Sequence, residues 1–168
     1  SLNETTVEFW DYLFAVNVRA PFLLTQEAVR IMKREKISGA IVNVLSVAAY
    51  CGPMLLPAYS STKGALRTFT KNTANSLRHD RIRVNGINLG WTDTPAEHVV
   101  QASQGSPDDW LERAEKASPF GRPLKADDVA RLCSYLLSEE SGILTGSTMD
   151  YSQRGMGFFP TEHGIQPD

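Results

Sequence analysis

Cysteine is scarce in this chain of 168 residues: only Cys51 and Cys133 occur, far apart and outside any C-x-x-C or Cys/His ligand spacing. That scarcity excludes a disulfide scaffold and gives no metal site, and it predicts a reduced, cytoplasmic setting. Histidine is equally sparse. His79, His98 and His163 stand at no spacing that would pair them as ligands or as acid and base, so they read as ordinary surface residues. No apolar run approaches the roughly 20 residues of a membrane-spanning helix, and the opening Ser1-Leu2-Asn3-Glu4-Thr5-Thr6 has neither the basic nor the apolar region of an export signal. No run of Lys or Arg forms a basic stripe and the net charge is −2, so neither a membrane nor a nucleic acid is expected as partner. Also missing is any glycine-rich G-x-G-x-x-G turn, the usual cradle for a dinucleotide pyrophosphate. Position 1 is not methionine, from which we expect the N-terminus to be a cut rather than a gene start.

What is present is an ordinary globular composition. Hydrophobic residues at 42% and charged residues at 21% supply enough apolar surface for one core, and the length predicts a single domain over 1–168. Thr5 or Thr6 reads as a helix cap, and Phe9, Trp10, Leu13, Phe14, Leu23, Leu24, Ala28, Ile31 and Met32 recur at helical spacing up to Lys36. Pro21 falls inside this helix and cannot donate to the carbonyl of Asn17, so Asn17 should mark a kink. Gly39 to Leu45 is a β-branched run suited to a buried parallel strand that ends at Ser46. A loop with Gly52, Pro53 and Pro57 leads into a helix from about Ala58 to Arg78 with Leu66, Phe69, Thr73 and Leu77 on one stripe. Ile82 to Leu89 is a second strand, Lys125 opens a further helix, and Gly142 to Asp150 leads into a last short strand. The polar stretch 95–118, too long for a plain connector, reads as a lid over a substrate site, and 153–168 as an irregular tail. Helices alternating with strands predict an α/β fold, a partial doubly wound parallel sheet of three strands flanked by helices. So thin a sheet is expected to keep an open face or edge.

The chemistry concentrates in three residues. Tyr59 and Lys63 stand four apart, which puts phenol and ammonium on one helix face a turn from each other, and Ser46 precedes Tyr59 by thirteen positions. The cation would favour the phenolate and bring Tyr59 toward proton exchange near neutral pH.

With Asn17, the run Gly39 to Ser46, Tyr59-x-x-x-Lys63, Arg83-Val84-Asn85, Leu89 to Thr94, Phe120-Gly121-Arg122-Pro123, Asp127 to Ala130 and Leu144 to Ser147 in this order, the chain resembles the short-chain dehydrogenase/reductase family. The resemblance spans about Thr6 to Asp150 and implies a Rossmann-like sheet and hydride transfer between NAD or NADP and a small carbonyl or alcohol. It implies Tyr59 as general acid or base, Lys63 on the nicotinamide ribose, Ser46 on the substrate oxygen, and Asn17 completing the catalytic set. Gly90, Trp91, Thr92 and Thr94, with Tyr59 and Lys63, are its cofactor-binding candidates, through backbone groups and threonine hydroxyls facing the nicotinamide amide and phosphate. It further implies a homodimer or homotetramer built through helices 7–36 and 58–78. Three positions depart from the family pattern: Leu45 replaces the first serine of a pair, Leu89 a proline, and Met149-Asp150-Tyr151-Ser152 a Val-Asp-Gly-Gly segment. The larger departure is the family's first four strands, with the adenosine-binding turn and the residue that selects NAD or NADP, none of which is in these 168 residues. The sequence is thus expected to be a C-terminal catalytic portion.

Other readings stay open on the residues alone. Ser46 and the threonines of the Gly90 loop could serve as helix caps, Asn17 as no more than a kink residue, and Trp91 and Trp110 as packing or as pocket aromatics. The piece could be a non-catalytic oligomerisation module. A hydrolase with Ser46 as nucleophile and Lys63 as base is a third reading, weakened by the absence of a glycine-flanked nucleophile elbow.

Overall fold

A computed structural model describes residues 1–50 and 55–153. Most of the segment read as an irregular tail, and the turn around Gly52 and Pro53, lie outside the described residues. Helix α1, Val7–Phe14, is capped by Thr6, whose Oγ1 accepts from the Phe9 N–H at 3.2 Å. A π-helical turn follows at Ala15–Arg19, and α2 runs over Ala20–Glu35 with Pro21 in its first turn. The interruption foreseen at Asn17 is therefore a widened turn rather than a break, with the proline placed where its missing N–H is least missed. Of the apolar residues expected to form one inward stripe, Phe9, Trp10, Leu23, Leu24 and Ile31 are exposed, and on α2 the buried side chain is Thr25.

The main sheet contains β1 (Gly39–Ser46), β2 (Ile82–Leu89) and β5 (Thr148–Tyr151) in the order β1-β2-β5. All pairs are parallel, in register from Gly39 opposite Ile82 to Ser46 opposite Leu89, and from Gly86 opposite Thr148 to Leu89 opposite Tyr151. Parallel neighbours need crossovers, supplied by α3 (Pro57–Leu77) and α6 (Ala126–Leu137). Side chains alternate across a strand. Ile82 and Val84 meet Ala74 and Leu77 of α3, with Val29, Met32 and Ile41 packed alongside. Arg83, between them, faces the other way and donates to the Leu136 and Ser138 carbonyls at 2.9 Å each, which puts α6 on the opposite face of the sheet. Central β2 is buried on both faces. At Gly86 a Cβ would lie 2.5 Å from Leu45 Cδ1, so only glycine lets the three strands close up there. β1 is an edge strand among the described residues, and its Val44 is exposed.

Helix α3 buries Ala58, Thr62, Leu66, Thr70, Ala74 and Leu77, not the stripe through Phe69 and Thr73 that apolar residues alone suggest. Two wholly buried threonines make the difference. Thr70 Oγ1 donates to the Leu66 carbonyl at 2.8 Å and accepts from Asn43 Nδ2 at 2.9 Å, so its polarity is satisfied inside the core.

The stretch read as a lid holds two short helices, α4 (Pro95–Ser103) and α5 (Trp110–Ala117). A two-stranded parallel pair missed in the sequence, β3 (Thr92–Asp93) with β4 (Leu124–Lys125), closes its base.

Candidate functional site

Ser46 is the last residue of β1 and Leu89 opposite it is the last of β2, so the loops leaving both strands share one end of the sheet. In an open parallel sheet that carboxyl end is where ligands bind. Tyr59, in the first turn of α3, is brought back over it, where its phenol feels the Ser46 hydroxyl, which accepts from the Ala48 N–H at 3.2 Å. The pair anticipated from a thirteen-residue spacing thus shares one end of the sheet.

The electrostatics differ from expectation. Burial holds the Tyr59 phenol above the ordinary tyrosine range, opposed by the Ser46 hydrogen bond and reinforced by the negative charge of Glu97. Lys63 does not offset this. Its Nζ stands 5.5 Å from the Tyr59 ring centroid and donates to the Val44 carbonyl at 3.1 Å, while burial lowers its own affinity for a proton. The sequence argument placed the cation correctly on the helix face but not the direction in which a long side chain would turn.

Asn17 joins the set through an intermediary. Its Nδ2 donates to Thr62 Oγ1 at 3.1 Å, and that hydroxyl donates to the Tyr59 carbonyl at 2.7 Å. Asn17 and Lys63 also line a groove of about 380 Å3 along β1, together with Asn43 and Val44.

In the following loop, Gly90 N–H donates to the Tyr151 carbonyl at 2.9 Å, and a Cβ on Gly90 would stand 2.7 Å from that of Ser152. Close approach of β5 therefore requires this glycine. Thr92 Oγ1 donates to the Gly90 carbonyl at 3.0 Å, and Thr94 Oγ1 caps α4 by accepting from the Glu97 N–H at 3.2 Å. Both threonine hydroxyls have structural partners, as the capping alternative foresaw for Thr94. Trp91 is exposed, and its indole N–H donates to Glu97 Oε1 at 2.8 Å.

Sequence reasoning missed three groups. Glu97 was one; Thr94-Pro95-Ala96-Glu97 is a capping-box spacing, which would have sent its carboxylate back to the Thr94 N–H rather than to Trp91. His98, read as an ordinary surface residue, has Nε2 2.8 Å from Asp93 Oδ1, whose other oxygen accepts from Lys125 Nζ at 2.6 Å. Lys125 is the main reason that Asp93 is held below the usual carboxylate range. The His98 ring also meets Trp110 edge-on at 4.9 Å, and Trp110 lies 5.9 Å from Trp91. At the far side, the Tyr50 hydroxyl donates to Asp150 Oδ1 at 2.6 Å beneath Arg67, while Asn88 Nδ2 donates to both at 2.9 and 2.8 Å. No local signal marks these pairs, because their members come from different elements.

A family model described as enoyl-(acyl carrier protein) reductase matches residues 1–153. The chain is 32% identical over 149 residues to the NADP-dependent (R)-specific alcohol dehydrogenase of Lentilactobacillus kefiri, covering 88% of this chain and 57% of that protein. Against L-xylulose reductase of Bos taurus it is 36% identical over 146 residues, covering 87% and 58%. Among solved structures, 4-hydroxyisoleucine dehydrogenase complexed with NADH aligns with a TM-score of 0.79 at 25% identity, over 90% of this chain and 61% of that one. The chain thus spans less than two thirds of the length of each.

Proposed function

The chain belongs to the short-chain dehydrogenase/reductase family, and on that premise we propose that it is the catalytic portion of an NAD(P)-dependent oxidoreductase acting on a small alcohol or carbonyl. The observation that carries the proposal is the placement of Ser46 and Tyr59 together at the carboxyl end of parallel strands, with Lys63 one helical turn on. The donor set fits the nicotinamide end of the cofactor: a half-buried ammonium with no ion-pair partner among the described residues, free to leave one backbone carbonyl, and a loop held close to β5 at Gly90. The adenosine end would be held by sequence outside these residues, as would the choice between NAD and NADP.

When bound, the nicotinamide supplies or accepts the hydride. In the reducing direction the Tyr59 hydroxyl gives its proton to the carbonyl oxygen, and Ser46 donates a hydrogen bond to the same oxygen as negative charge develops there. A phenol that holds its proton firmly suits this role as acid. In oxidation the same hydroxyl must take a proton, and Lys63 turned from Val44 toward the tyrosine would then favour the phenolate. Asn17, through Thr62, holds the Tyr59 turn in place. A water on the Asn17 carbonyl would extend a proton relay to Lys63. Gly90, Trp91, Thr92 and Thr94 would frame the nicotinamide ring, mainly through backbone groups.

In protein expressed from its complete reading frame, Tyr59→Phe should lower turnover by on the order of 100-fold or more while cofactor binding, followed by NADH and NADPH fluorescence, stays within about threefold. Retained turnover would overturn the assignment. Residues 1–168 alone should bind either cofactor weakly at best.

The same proposal extends to assembly and setting. The exposed Phe9, Tyr12, Val16, Phe22 and Leu23 and a groove of about 840 Å3 between Tyr12, Phe22 and Phe69 support a homo-oligomer joined through helices 7–36 and 58–78. No described helix is long and apolar enough to cross a membrane, and a cytoplasmic location is the reading consistent with the free Cys133. The 95–118 segment would serve as the substrate lid.

A further inference from the structure

The turn that follows Ser46 is tied down from outside itself. It spans Val47–Ala49 and begins at Ser46, whose Oγ accepts from the Ala48 N–H at 3.2 Å; it closes with the Tyr50 N–H donating to the Val47 carbonyl at 3.1 Å. A bond accepted within the turn leaves the Ser46 hydroxyl proton to be given outside it. The Tyr50 side chain then crosses the carboxyl end of the sheet. Its hydroxyl donates to Asp150 Oδ1 at 2.6 Å and accepts from Asn88 Nδ2 at 2.9 Å, and the same Nδ2 donates to Asp150 Oδ1 at 2.8 Å. Asn88 and Asp150 stand opposite each other on β2 and β5, so their own bond already ties these strands. The bonds to Tyr50 add nothing to that ladder; they hold a residue outside the sheet, the one that closes the Ser46 turn. Arg67 of α3 adds a second hold, with its guanidinium 4.1 Å from the Tyr50 ring centroid and its Nε donating to Thr148 Oγ1, at the start of β5, at 3.5 Å. Asn88 is wholly buried, and among the described residues its Oδ1 has no partner. A buried amide with one unsatisfied end stabilises a fold poorly, which leaves the two bonds from its Nδ2 as what it supplies. Burial, and then the Asp150 bond, raise the Tyr50 phenol above the ordinary tyrosine range, so the hydroxyl keeps the proton that the clamp uses.

We propose that Tyr50, clamped by Asn88 and Asp150, is a positioning residue for Ser46: it fixes the turn whose Ala48 N–H sets the direction in which the Ser46 hydroxyl gives its hydrogen bond to the substrate oxygen. The inference deepens the oxidoreductase reading and rests on it for the role of Ser46. Loss of the clamp does not remove the donor. It frees the turn to swing, so the donor points at the oxygen for only part of the time. The loss therefore falls on the step in which charge develops on that oxygen, and not on binding of substrate or cofactor.

The test is steady-state reduction of 2,3-butanedione, a small activated carbonyl, by NADH or NADPH in protein expressed from its complete reading frame. Tyr50→Phe keeps the ring beside Arg67 and loses the hydroxyl. It should lower kcat on the order of tenfold, with KM and cofactor affinity staying within about threefold. Asp150→Ala should do the same, whereas Asp150→Asn, which keeps an acceptor for the Tyr50 hydroxyl, should hold kcat within about threefold of the parent. In a Ser46→Ala background Tyr50→Phe should cost less than about twofold more, since the donor it positions is gone; a clamp that merely stabilises the fold would slow both backgrounds alike. Thermal midpoints check that each variant is folded, and if Tyr50→Phe is not, the contrast between Asp150→Ala and Asp150→Asn decides. An unchanged kcat in folded Tyr50→Phe, an equal loss in the Ser46→Ala background, or Asp150→Asn as slow as Asp150→Ala would each overturn the inference and leave the oxidoreductase reading standing. No reduction of 2,3-butanedione by the parent protein with either cofactor would instead remove that reading, and the inference with it.

Discussion

Tyr59 shows how a residue's chemistry depends on neighbours that its local sequence does not name. Its phenol is raised above the ordinary value of 10.0, first by burial. A raised acid favours the folded state while it stays protonated, so its contribution is fully present below pH 10.0 and is lost as pH rises through the folded value. Ultraviolet difference titration should therefore show two phenols ionising late, that of Tyr50, which burial and Asp150 also raise, and that of Tyr59. Tyr59→Phe should remove the second and Glu97→Gln should move it downward; a Glu97→Gln profile identical to the parent would disprove the charge coupling. Asp128 illustrates the opposite sign. Arg122 grips it with bonds of 2.6 and 3.0 Å and the Lys125 N–H donates to it at 2.9 Å, holding its carboxyl at about 2 rather than 3.8. That contribution is present above pH 3.8 and is lost as pH falls toward 2. In Arg122→Ala, carboxyl resonances followed by NMR should place the Asp128 titration closer to 3.8.

At the scale of elements, the first helix of the proposed lid depends on one cap. Thr94→Ala should cost α4 about 1 kcal/mol and lower amide-exchange protection across 95–103 by roughly fivefold, with the sheet unaffected. Protection lost equally throughout the protein would show that the helix does not open by itself. The π-helical turn at Ala15–Arg19 is the second element-level device, since it carries Asn17 toward Thr62. If the Asn17 carbonyl serves a proton relay, Pro21→Ala in the full-length protein should shift the pH profile of turnover, because an alanine N–H would compete for that carbonyl. An unchanged profile would remove Asn17 from the relay. The sequence revealed the helix, its cap region and an interruption at Asn17. It did not reveal a widened turn, because a proline states that a hydrogen bond is missing and not how the chain closes around the gap.

The molecule as a whole is held by side chains that reach both faces of β2. Leu136, wholly buried on the α6 face, should cost about 2–5 kcal/mol when truncated to alanine, read as a lower denaturant midpoint with an unchanged slope. Strand runs and the order of crossovers were legible because apolar periodicity and β-branched composition are written along the chain. The spacing of Ser46, Tyr59 and Lys63 was legible for the same reason: a helix turn and a strand end are local rulers. The buried stripe of α3 was not, since Thr62 and Thr70 look like surface residues until the Tyr59 carbonyl, and for Thr70 Asn43 and the Leu66 carbonyl, are found beside them. The sequence by itself thus determined the alternation of strands and helices and singled out Ser46, Tyr59 and Lys63, to which the chemistry is proposed to belong. Only the tertiary structure decided how tightly Tyr59 holds its proton, where Lys63 points and that Glu97 bonds Trp91 rather than its own cap. Burial and charge act through space, and the crossover topology, not the spacing along the chain, sets those distances.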